Sequence, residues 1–514
     1  MGRQDTAASA TPTTDRAPPA QIGHWIDGAP FAPESARSAE VFDPARGATS
    51  GRVLLADAGT VGLAVQAAAR AFPSWRETAL PRRVRVMFSF REALIARTEE
   101  LAGAIAGEHG KMHDDARGEI QRGLEMVELA CAASSILKGE HSEQVAGGVD
   151  VYSVRQPLGV CAGVTPFNFP AMVPLWMIPI ALVCGNTFVL KPSERDPSAS
   201  LLLAEMAAQA GVPPGVLNVV QGDALAVDAL LDHPDVEAIS FVGSTPIARQ
   251  IYAKAARAGK RVQALGGAKN HMVVLPDADL AQAADAAVSA AFGSAGQRCM
   301  AVSVLVAVGE IADELVRAVA QRAAALRVGP ACEQGSEMGP LISPQAAQRV
   351  RDCIERGVAA GATLVADGRQ VRVPGFEHGF FVGPTIFDHV RQEMEIYEQE
   401  VFGPLLSVVR VGTLDQAIEL INRNPYGNGA AIFTAGGGAA RRFQHEVKAG
   451  MVGINVAIPV PVGFYSFGGF GDSLFGDTHV YGPEGFRFYT RGKVSTSRWP
   501  SREQTGVRLA FPND

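Results

Sequence analysis

Short apolar segments alternate with longer amphipathic segments over most of the chain. Runs of four to eight apolar residues are typical of buried strands, and a 3.6-residue apolar period is typical of helices. A first series predicts strands at 158–164, 188–191, 216–220 and 238–242, with helices at 198–211, 223–232 and 244–259. A second series predicts strands at 271–275, 303–308, 363–366 and 405–411, with helices at 311–326 and 343–360. This alternation is typical of parallel sheets with helices on both faces, so we predict two α/β domains.

Two kinds of segment lie outside this alternation. Long helices are predicted at 82–107 and 114–137, ahead of the first series. The segment 170–190 is nearly all apolar and long enough to cross a bilayer. However, Pro174 and Pro179 interrupt it, and a Cys-Gly-Asn turn follows at 184–186. The sequence therefore favours a buried helix, a turn and a buried strand over a membrane span.

The segments 149–156 and 486–496 are strand-like, with polar residues at alternate positions. They lie far apart in the chain and outside both series. An unpaired strand edge invites a partner strand, so we expect the two ribbons to pair across subunits of an oligomer. The alternative is that both segments lie at the edges of the main sheets.

Composition narrows the class of protein. The chain has 514 residues, 47% hydrophobic and 19% charged, which indicates a large globular protein of several domains. A net charge of −7 argues against nucleic acid or an anionic membrane as partner. The six cysteines show no C-x-x-C spacing and no matching His cluster, so we expect reduced thiols, no metal site and a cytoplasmic protein. Residues 1–20 contain no apolar run, which predicts a disordered tail and not a signal peptide.

Two segments contain candidate groups for covalent chemistry. Cys299 follows the small residues of 293–296, which leave a thiol reachable, and the adjacent Arg298 favours the thiolate. The alternative is an inert buried cysteine. Asn168 follows the strand predicted at 158–164, where its side-chain amide is able to donate to an oxyanion. Taken alone, it is equally a turn residue in a Pro-rich loop.

Three further segments suggest a dinucleotide site. Lys191 and Glu194 follow a predicted strand, and a carboxylate on the ribose hydroxyls favours NAD over NADP. Gly243 and Ser244 open a predicted helix, whose N-terminus attracts a pyrophosphate, although no G-x-G-x-x-G motif is present. A carboxylate and an aromatic ring for the nicotinamide ribose occur in 400–404. Each segment alone is equally compatible with an ordinary loop.

The order and spacing of these segments resemble the aldehyde dehydrogenase superfamily from about residue 21 to the end. The runs TPFNFPAMVP (165–174), LGGAKNH (265–271), SAGQRCM (294–300) and TSRWP (496–500) resemble its CoA-acylating methylmalonate/malonate-semialdehyde dehydrogenases. The resemblance implies an α/β aldehyde dehydrogenase fold, with a Rossmann-like NAD-binding domain, an α/β catalytic domain and a small β oligomerisation ribbon. We expect the NAD-binding domain in 21–141 and 158–266, the ribbon in 142–157 and 484–502, and the catalytic domain in 267–483.

The resemblance also implies roles for individual residues. Cys299 is the expected nucleophile and Asn168 the expected oxyanion donor. Arg122 and Arg298 are expected to hold the substrate carboxylate. The expected NAD contacts are Thr165, Phe167, Lys191, Glu194, Gly243, Ser244, Glu400 and Phe402. The implied partners are a small aldehyde acid, NAD and CoA, in a homotetramer built as a dimer of dimers.

The implied reaction is NAD-dependent oxidation of malonate or methylmalonate semialdehyde through a Cys299 thioester. Decarboxylation and transfer to CoA then give acetyl-CoA or propionyl-CoA. Hydrolytic relatives carry a Glu at the position of Ala264, ahead of the Leu-Gly-Gly run. Without that base, attack by water is slow and a thiol is the better acceptor. The alternatives are a hydrolytic aldehyde dehydrogenase and a non-catalytic protein on this fold. Gly471 departs from the subfamily, where a Lys is common.

Overall fold

The computed structural model of the chain describes residues 20–34 and 36–499. Its helices are α1 (Ala58–Arg76), α2 (Leu80–Ala96), α3 (Thr98–His109), α4 (His113–Cys131), α5 (Ala133–Ile136), α6 (Met172–Val183), α7 (Ser198–Gln209), α8 (Ala224–Asp232), α9 (Thr245–Arg257), α10 (Leu280–Phe292), α11 (Ala312–Ala325), α12 (Pro344–Ala359), α13 (Glu395–Glu398), α14 (Leu414–Arg423), α15 (Gly437–Glu446) and α16 (Gly482–Phe488). The tail predicted at 1–20 lies outside the described residues, apart from residue 20.

The strands of the described residues follow the predicted alternation. They are β1 (Ala20–Ile22), β2 (His24–Ile26), β3 (Ala29–Phe31), β4 (Arg37–Asp43), β5 (Ala48–Leu55), β6 (His141–Ala146), β7 (Val149–Pro157), β8 (Val160–Val164), β9 (Thr187–Lys191), β10 (Leu217–Val219), β11 (Val236–Val242), β12 (Arg261–Leu265), β13 (Asn270–Val274), β14 (Val302–Val308), β15 (Thr363–Ala366), β16 (Thr385–Asp388), β17 (Leu405–Val411), β18 (Tyr426–Gly427), β19 (Gly429–Phe433), β20 (Met451–Ile454), β21 (Phe470–Gly471), β22 (Leu474–Phe475) and β23 (Thr490–Arg498). Short 3-10 turns occur at Gly293–Gly296, Gly309–Ile311 and Gly368–Gln370.

The first large sheet has eight strands in the order β22-β12-β11-β8-β9-β10-β2-β3. Its five central strands, β12 to β10, are parallel. Every residue of β8 and β9 is buried, as expected for strands covered on both faces. Helices α1, α8 and α9 pack on one face, while α2, α3, α4, α6 and α7 pack on the other. Each large apolar side chain buried in these layers stabilises the fold by about 1.5–3 kcal/mol.

The second large sheet has seven strands in the order β15-β16-β17-β14-β13-β19-β20. All its neighbours are parallel except the pair β15 and β16. The two α/β units predicted from the sequence are therefore present. The apolar segment 170–190 forms the fully buried helix α6, a turn and the buried strand β9. Within the described residues, no helix combines the length and apolarity needed to cross a bilayer.

The long helices predicted at the start are each interrupted. The segment 82–107 forms α2 and α3, which break at Arg97 (φ −112°, ψ 20°). The Arg97 guanidinium contacts Glu100 on α3 and Glu205 on α7, so the break is fixed by charges that one continuous pattern does not reveal. The segment 114–137 forms α4 and, after a kink at Ala132, the short helix α5.

The two ribbon segments pair with each other inside one chain. β23 runs antiparallel to β7 from Thr490 opposite Pro157 to Arg498 opposite Val149, and β6 completes a separate three-stranded sheet. The expectation that these two strands pair across subunits is therefore wrong, and so is the alternative that they edge the main sheets. Residues 486–488, predicted as strand, belong to α16 because the Phe486 and Phe488 side chains are buried in the core. Residues 500–502 of the predicted ribbon lie outside the described residues.

One strand crosses between the predicted domains. β22 lies within 267–483, yet it pairs antiparallel with β12 and forms the edge of the first large sheet. Ala264 lies opposite Phe475, and Leu265 lies opposite Leu474. The segment 267–483 therefore contributes to both sheets.

Candidate active site

The cleft where the sequence motifs meet lies at the carboxyl ends of parallel strands. Thr165 follows β8, Lys191 ends β9 and Gly243 follows β11. Carboxyl ends of parallel strands share one edge of a sheet, which is where open α/β sheets bind ligands. These residues line a cleft of about 600 Å³ that also reaches Cys299 and Glu400. The fold therefore brings the candidate nucleophile and the candidate dinucleotide residues to one site.

The loop before Cys299 is in an unusual backbone conformation. Ser294 and Ala295 have φ values of 53° and 52°, and Gly296 has φ 70°. Left-handed conformations at non-glycine residues store strain and cluster at functional sites. The Cys299 carbonyl accepts hydrogen bonds from the side-chain amides of Asn270 (2.8 Å) and Asn428 (3.2 Å). These two amides fix the loop end that carries the thiol.

The electrostatics of the thiol differ from the sequence expectation. Burial, followed by the nearby Glu400 carboxylate, raises the pKa of Cys299 to about 12. Arg298 acts in the opposite direction but is outweighed. Its guanidinium contacts Asp115 on α4 at 2.7 Å, so its charge is largely neutralised by that partner. Arg298 therefore favours the thiolate, as predicted, but burial and Glu400 outweigh it and the thiol is protonated at neutral pH.

Asn168, the predicted oxyanion donor, has a side-chain amide that is not used within the fold. The residue is buried in the loop that follows β8, and it lines the same cleft as Cys299. Its backbone carbonyl accepts a hydrogen bond from the Lys111 ammonium at 2.7 Å. Its side-chain amide forms no hydrogen bond with any other residue in the described ranges. That amide is therefore available to a ligand in the cleft.

One end of the cleft contains the charged pair that the sequence suggested for a ribose. Lys191 Nζ lies 3.3 Å from Glu194 Oε2, and Lys191 is buried whereas Glu194 is partly exposed. The hydroxyl of Thr165 is buried without a partner among the described residues. A buried hydroxyl with no partner costs stability, so it points to a bound water or ligand group there. Phe167 lies beside these residues and packs edge-on against the Phe402 ring, with centroids 5.8 Å apart.

The start of α9 forms an anion-binding surface. Ser244 is the N-cap residue, yet its hydroxyl is exposed and makes no capping bond. Free N–H groups and the helix dipole at such an end attract a phosphate group. A Cβ at Gly243 would lie 2.5 Å from the Phe241 ring, so this position is closed to larger side chains. Both predicted residues therefore line a surface that suits a pyrophosphate.

Glu400 and Phe402 close the other side of the cleft. Glu400 Oε1 accepts a hydrogen bond from the Ala268 N–H at 3.0 Å, and a Cβ at Gly267 would contact its second oxygen. Burial raises the pKa of Glu400 to about 7. Phe402 has φ 54°, another left-handed non-glycine residue at the site. The sequence indicated no carboxylate near the thiol, but the fold brings Glu400 close enough to raise the pKa of Cys299.

The two predicted carboxylate-binding arginines are both engaged with α4 residues. Arg122 contacts Glu125 at 3.2 Å and is partly exposed, while Arg298 contacts Asp115. Tyr481, which the sequence did not suggest, lies near both Arg122 and Cys299, since both affect its pKa. It is buried, has φ 46° and packs against Trp176 with ring centroids 5.3 Å apart. No spacing or motif distinguishes it from an ordinary core tyrosine.

Ala264 is sealed inside the first large sheet. It has no exposed surface and packs with Phe241 in the cluster under α9. Leu265 faces the opposite cluster, against which Cys299 packs. Successive strand residues point to opposite faces. The position therefore lacks a base, and a longer side chain there would first meet the core.

Two further residues escaped sequence reasoning. Lys111 and Glu119 form a fully buried ion pair at 2.7 Å, directly behind the Asn168 loop. Long charged side chains are almost never fully buried unless paired, but only the fold shows the pairing. In the sequence this pair is only a Lys eight positions before a Glu, and that spacing is common on surface helices.

Comparison with known proteins agrees with this geometry. Residues 31–495 match the model of the aldehyde dehydrogenase family. The chain is 54% identical to a malonate-semialdehyde dehydrogenase of Pseudomonas aeruginosa, over 96% of this chain and 99% of that protein. It is 47% identical to the mitochondrial acylating methylmalonate-semialdehyde dehydrogenase of Arabidopsis thaliana, over 96% of this chain and 81% of that protein.

Solved structures similar to the chain agree with these sequence relatives. A methylmalonate-semialdehyde dehydrogenase from Oceanimonas doudoroffii superimposes with a TM-score of 0.93 at 54% identity, covering 94% of this chain and 99% of that one. A Sinorhizobium meliloti protein described as the same enzyme, and solved with NAD, has a TM-score of 0.93 at 49% identity, covering 95% and 99%. With a family match that spans both large sheets and the cleft between them, the chain belongs to the aldehyde dehydrogenase family.

Proposed function

We propose that the protein oxidises malonate or methylmalonate semialdehyde with NAD and transfers the decarboxylated acyl group to CoA. The products are acetyl-CoA or propionyl-CoA. The observation that carries this proposal is one cleft that contains both Cys299 and the free amide of Asn168. The names of relatives 54% and 47% identical to the chain support the substrate and the acylating chemistry.

The cleft fits NAD on its own geometry. Ser244 offers an unused hydroxyl at a helix N-terminus, Gly243 lines the cleft beside it, and the buried hydroxyl of Thr165 has no partner among the described residues. Glu194 is partly exposed at the ribose end, where its negative charge repels a 2′-phosphate. When bound, NAD accepts the hydride released by the substrate. Glu400 and Phe402 hold the nicotinamide ribose in this proposal.

The chain's own residues carry the covalent chemistry. The Cys299 thiol gives up its proton to solvent and Sγ adds to the aldehyde carbon, while the developing oxyanion accepts hydrogen bonds from the Asn168 amide and the Cys299 backbone N–H. Loss of the hydride converts this adduct to a thioester on Cys299. A carboxylate β to the thioester carbonyl then leaves as CO2, the same donors stabilise the resulting enolate, and the enolate takes a proton from solvent at its α-carbon. The CoA thiol adds to the thioester carbonyl, loses its proton to solvent and displaces Cys299.

The substrate carboxylate is held by guanidinium groups. Arg122 and Arg298 each contact one carboxylate of α4, and a guanidinium has five N–H donors in a planar fork. Each arginine therefore keeps donors for a second, bidentate carboxylate while it contacts its α4 partner. Arg122 lies on α4 and Arg298 is adjacent to Cys299, so in this proposal the substrate is held by its acid end, with the aldehyde directed to the thiol.

CoA is the acceptor because water lacks a base at position 264. The specific observation that favours the hydrolytic alternative is Glu400, a carboxylate close to Cys299 with a pKa of about 7. In our proposal the cofactor ribose is bound to the Glu400 carboxylate during oxidation, so this carboxylate is not available to activate water. A CoA thiol is also a far better nucleophile than an unassisted water molecule.

Product identification tests the proposal. The enzyme is mixed with malonate semialdehyde and NAD, with and without CoA, and products are identified by mass spectrometry. We expect acetyl-CoA and CO2 with CoA. Without CoA we expect a burst of about one NADH per active subunit, followed by slow turnover. Equal steady-state rates with and without CoA would show that water is the natural acceptor. Cys299→Ala is the control and should abolish the burst.

We further propose that the enzyme is a cytoplasmic homotetramer, built as a dimer of dimers. The sheet of β6, β7 and β23 supports the assembly, because it stands apart from both main sheets and exposes Tyr152, Val154 and Val494. The free state of all six cysteines supports a reducing compartment. Sedimentation at micromolar concentration tests the assembly, and a monomer would refute it.

A further inference from the structure

The loop that carries Asn168 lacks ordinary backbone support. Thr165 N–H donates to the Lys191 carbonyl at 3.1 Å, and Val173 N–H donates to the Phe169 carbonyl at 3.2 Å. Between these two bonds, no backbone-to-backbone hydrogen bond is formed by residues 166–168 with any described residue. Pro166 and Pro170 have no N–H to donate. Something other than the backbone must therefore hold the oxyanion donor in place.

Lys111 supplies one of the missing supports. Its ammonium lies 2.7 Å from the Asn168 backbone oxygen and 2.7 Å from Glu119 Oε2. It also lies 4.5 Å from the centre of the Phe169 ring, on the next residue of the loop. The ammonium therefore contacts the carbonyl of the residue whose amide faces the cleft.

Glu119 supplies the other support. Its Oε1 accepts hydrogen bonds from the N–H groups of Ala171 (2.8 Å) and Met172 (3.0 Å), at the N-terminus of α6. Its Oε2 accepts the Lys111 ammonium, so one carboxylate joins the end of the loop to the cation in its middle. Both side chains have 0% exposure. A charge-assisted hydrogen bond is shorter and stronger than a neutral one, and burial strengthens it further.

We propose that the buried Lys111–Glu119 ion pair positions the Asn168 amide for the oxyanion, so that both are positioning residues for the thioester-forming step. This inference rests on the proposed function, in which Asn168 is the oxyanion donor. A donor must lie about 2.7–3.1 Å from the oxyanion, and a displacement of about 1 Å costs about a hundredfold in rate. The ion pair fixes the loop at three points around Asn168: its own carbonyl and the N–H groups of Ala171 and Met172.

A double-mutant cycle separates positioning from general stabilisation. The variants are Lys111→Met, Asn168→Ala and the double variant, and the readout is the rate of the NADH burst without CoA. We expect Asn168→Ala to slow the burst about 10²–10³-fold. We expect Lys111→Met to slow it up to about 10²-fold. If Lys111 acts through Asn168, adding Lys111→Met to the Asn168→Ala variant should slow the burst by less than about threefold further. The effects of residues that act as one unit are not additive.

The two possible failures are distinguishable. Additive effects in the cycle would overturn the positioning role while leaving the oxyanion role of Asn168 intact. An unchanged burst in Asn168→Ala would overturn the oxyanion role in the proposed function, and the positioning role with it.

Folding is controlled with matched variants. Lys111→Met leaves the Glu119 carboxylate buried without its cation. The double variant Lys111→Met/Glu119→Gln is therefore tested as well, because its neutral amide oxygen still accepts hydrogen bonds from the helix N–H groups. Arg410→Met breaks an ion pair with the buried Asp388 on another sheet and serves as the control for lost stability. The proposal predicts a slow burst for both Lys111 variants and a normal burst for Arg410→Met at equal Tm loss. Equal slowing in all three would overturn it.

Discussion

The resting thiol should be unusually unreactive. With a pKa of about 12 against an ordinary value of 9.0, the thiolate fraction of Cys299 near pH 8 falls about a thousandfold. The greater nucleophilicity of a more basic thiolate recovers about 16- to 32-fold of this loss. We therefore expect thiol–disulfide exchange at Cys299 to be about 30- to 60-fold slower than at an ordinary thiol. The exposed Cys332 provides that comparison within the same chain.

The assay is exchange of the free enzyme with 2,2′-dithiodipyridine, followed by mass spectrometry of the peptides that contain Cys299 and Cys332. The exchange rate at Cys299 should rise about tenfold per pH unit from pH 7 to pH 10, without a plateau, because thiolate limits the rate. Restricted access would lower the rate at every pH but leave this slope unchanged. Glu400→Gln removes a charge that raises the pKa, so it should speed exchange near pH 8. The exposed Glu398→Gln is the matched control. A plateau for Cys299 near pH 8, or no effect of Glu400→Gln, would refute the reasoning.

Four further variants test the site. Glu194→Gln should narrow the preference for NAD over NADP by relieving repulsion of the 2′-phosphate, and equal kcat/KM values in the wild type would contradict this. Gly243→Ala places a Cβ 2.5 Å from the Phe241 ring, so calorimetry should show weaker NAD binding; unchanged affinity would argue against close approach here. Arg122→Ala should weaken the binding of semialdehyde acids by about 2–5 kcal/mol, which raises their KM, and should leave the KM for propionaldehyde unchanged. Equal effects on both substrates would show that Arg122 only supports the fold. Ala264→Glu buries a carboxylate in the core and should lower the free energy of unfolding by about 4 kcal/mol; a stable variant that releases free acid would contradict this.

The predicted strands agree with the structure because both main sheets are built from short, mostly apolar runs. β15 and β17 have the predicted bounds, and β8 and β11 differ by two residues at one end. The helix break at Arg97 was missed because it depends on Glu205, which is more than a hundred residues away in the chain. The helix α16 was missed because Phe486 and Phe488 alternate like a strand, although tertiary packing buries them in a helix.

The candidate site was predictable as a set of positions but not as an electrostatic environment. Lys191, Glu194 and Ser244 are local in sequence to strand ends, so pattern and spacing are enough to find them. The partner of Arg298 and the neighbour of Cys299 are Asp115 and Glu400, which only the tertiary fold supplies. The sequence therefore identified Arg298 as a charge that lowers the Cys299 pKa, but not the burial and the Glu400 carboxylate that outweigh it.

The crossing strand β22 limits how the enzyme can be dissected. It covers the edge of β12 with two residues that come from beyond position 470, so a fragment ending near 266 would expose that edge to solvent. An uncovered strand edge promotes self-association. The dinucleotide-binding unit is thus not an exchangeable module: expressed alone it should aggregate, and recombination with other family members should keep 158–266 and 470–476 from one parent.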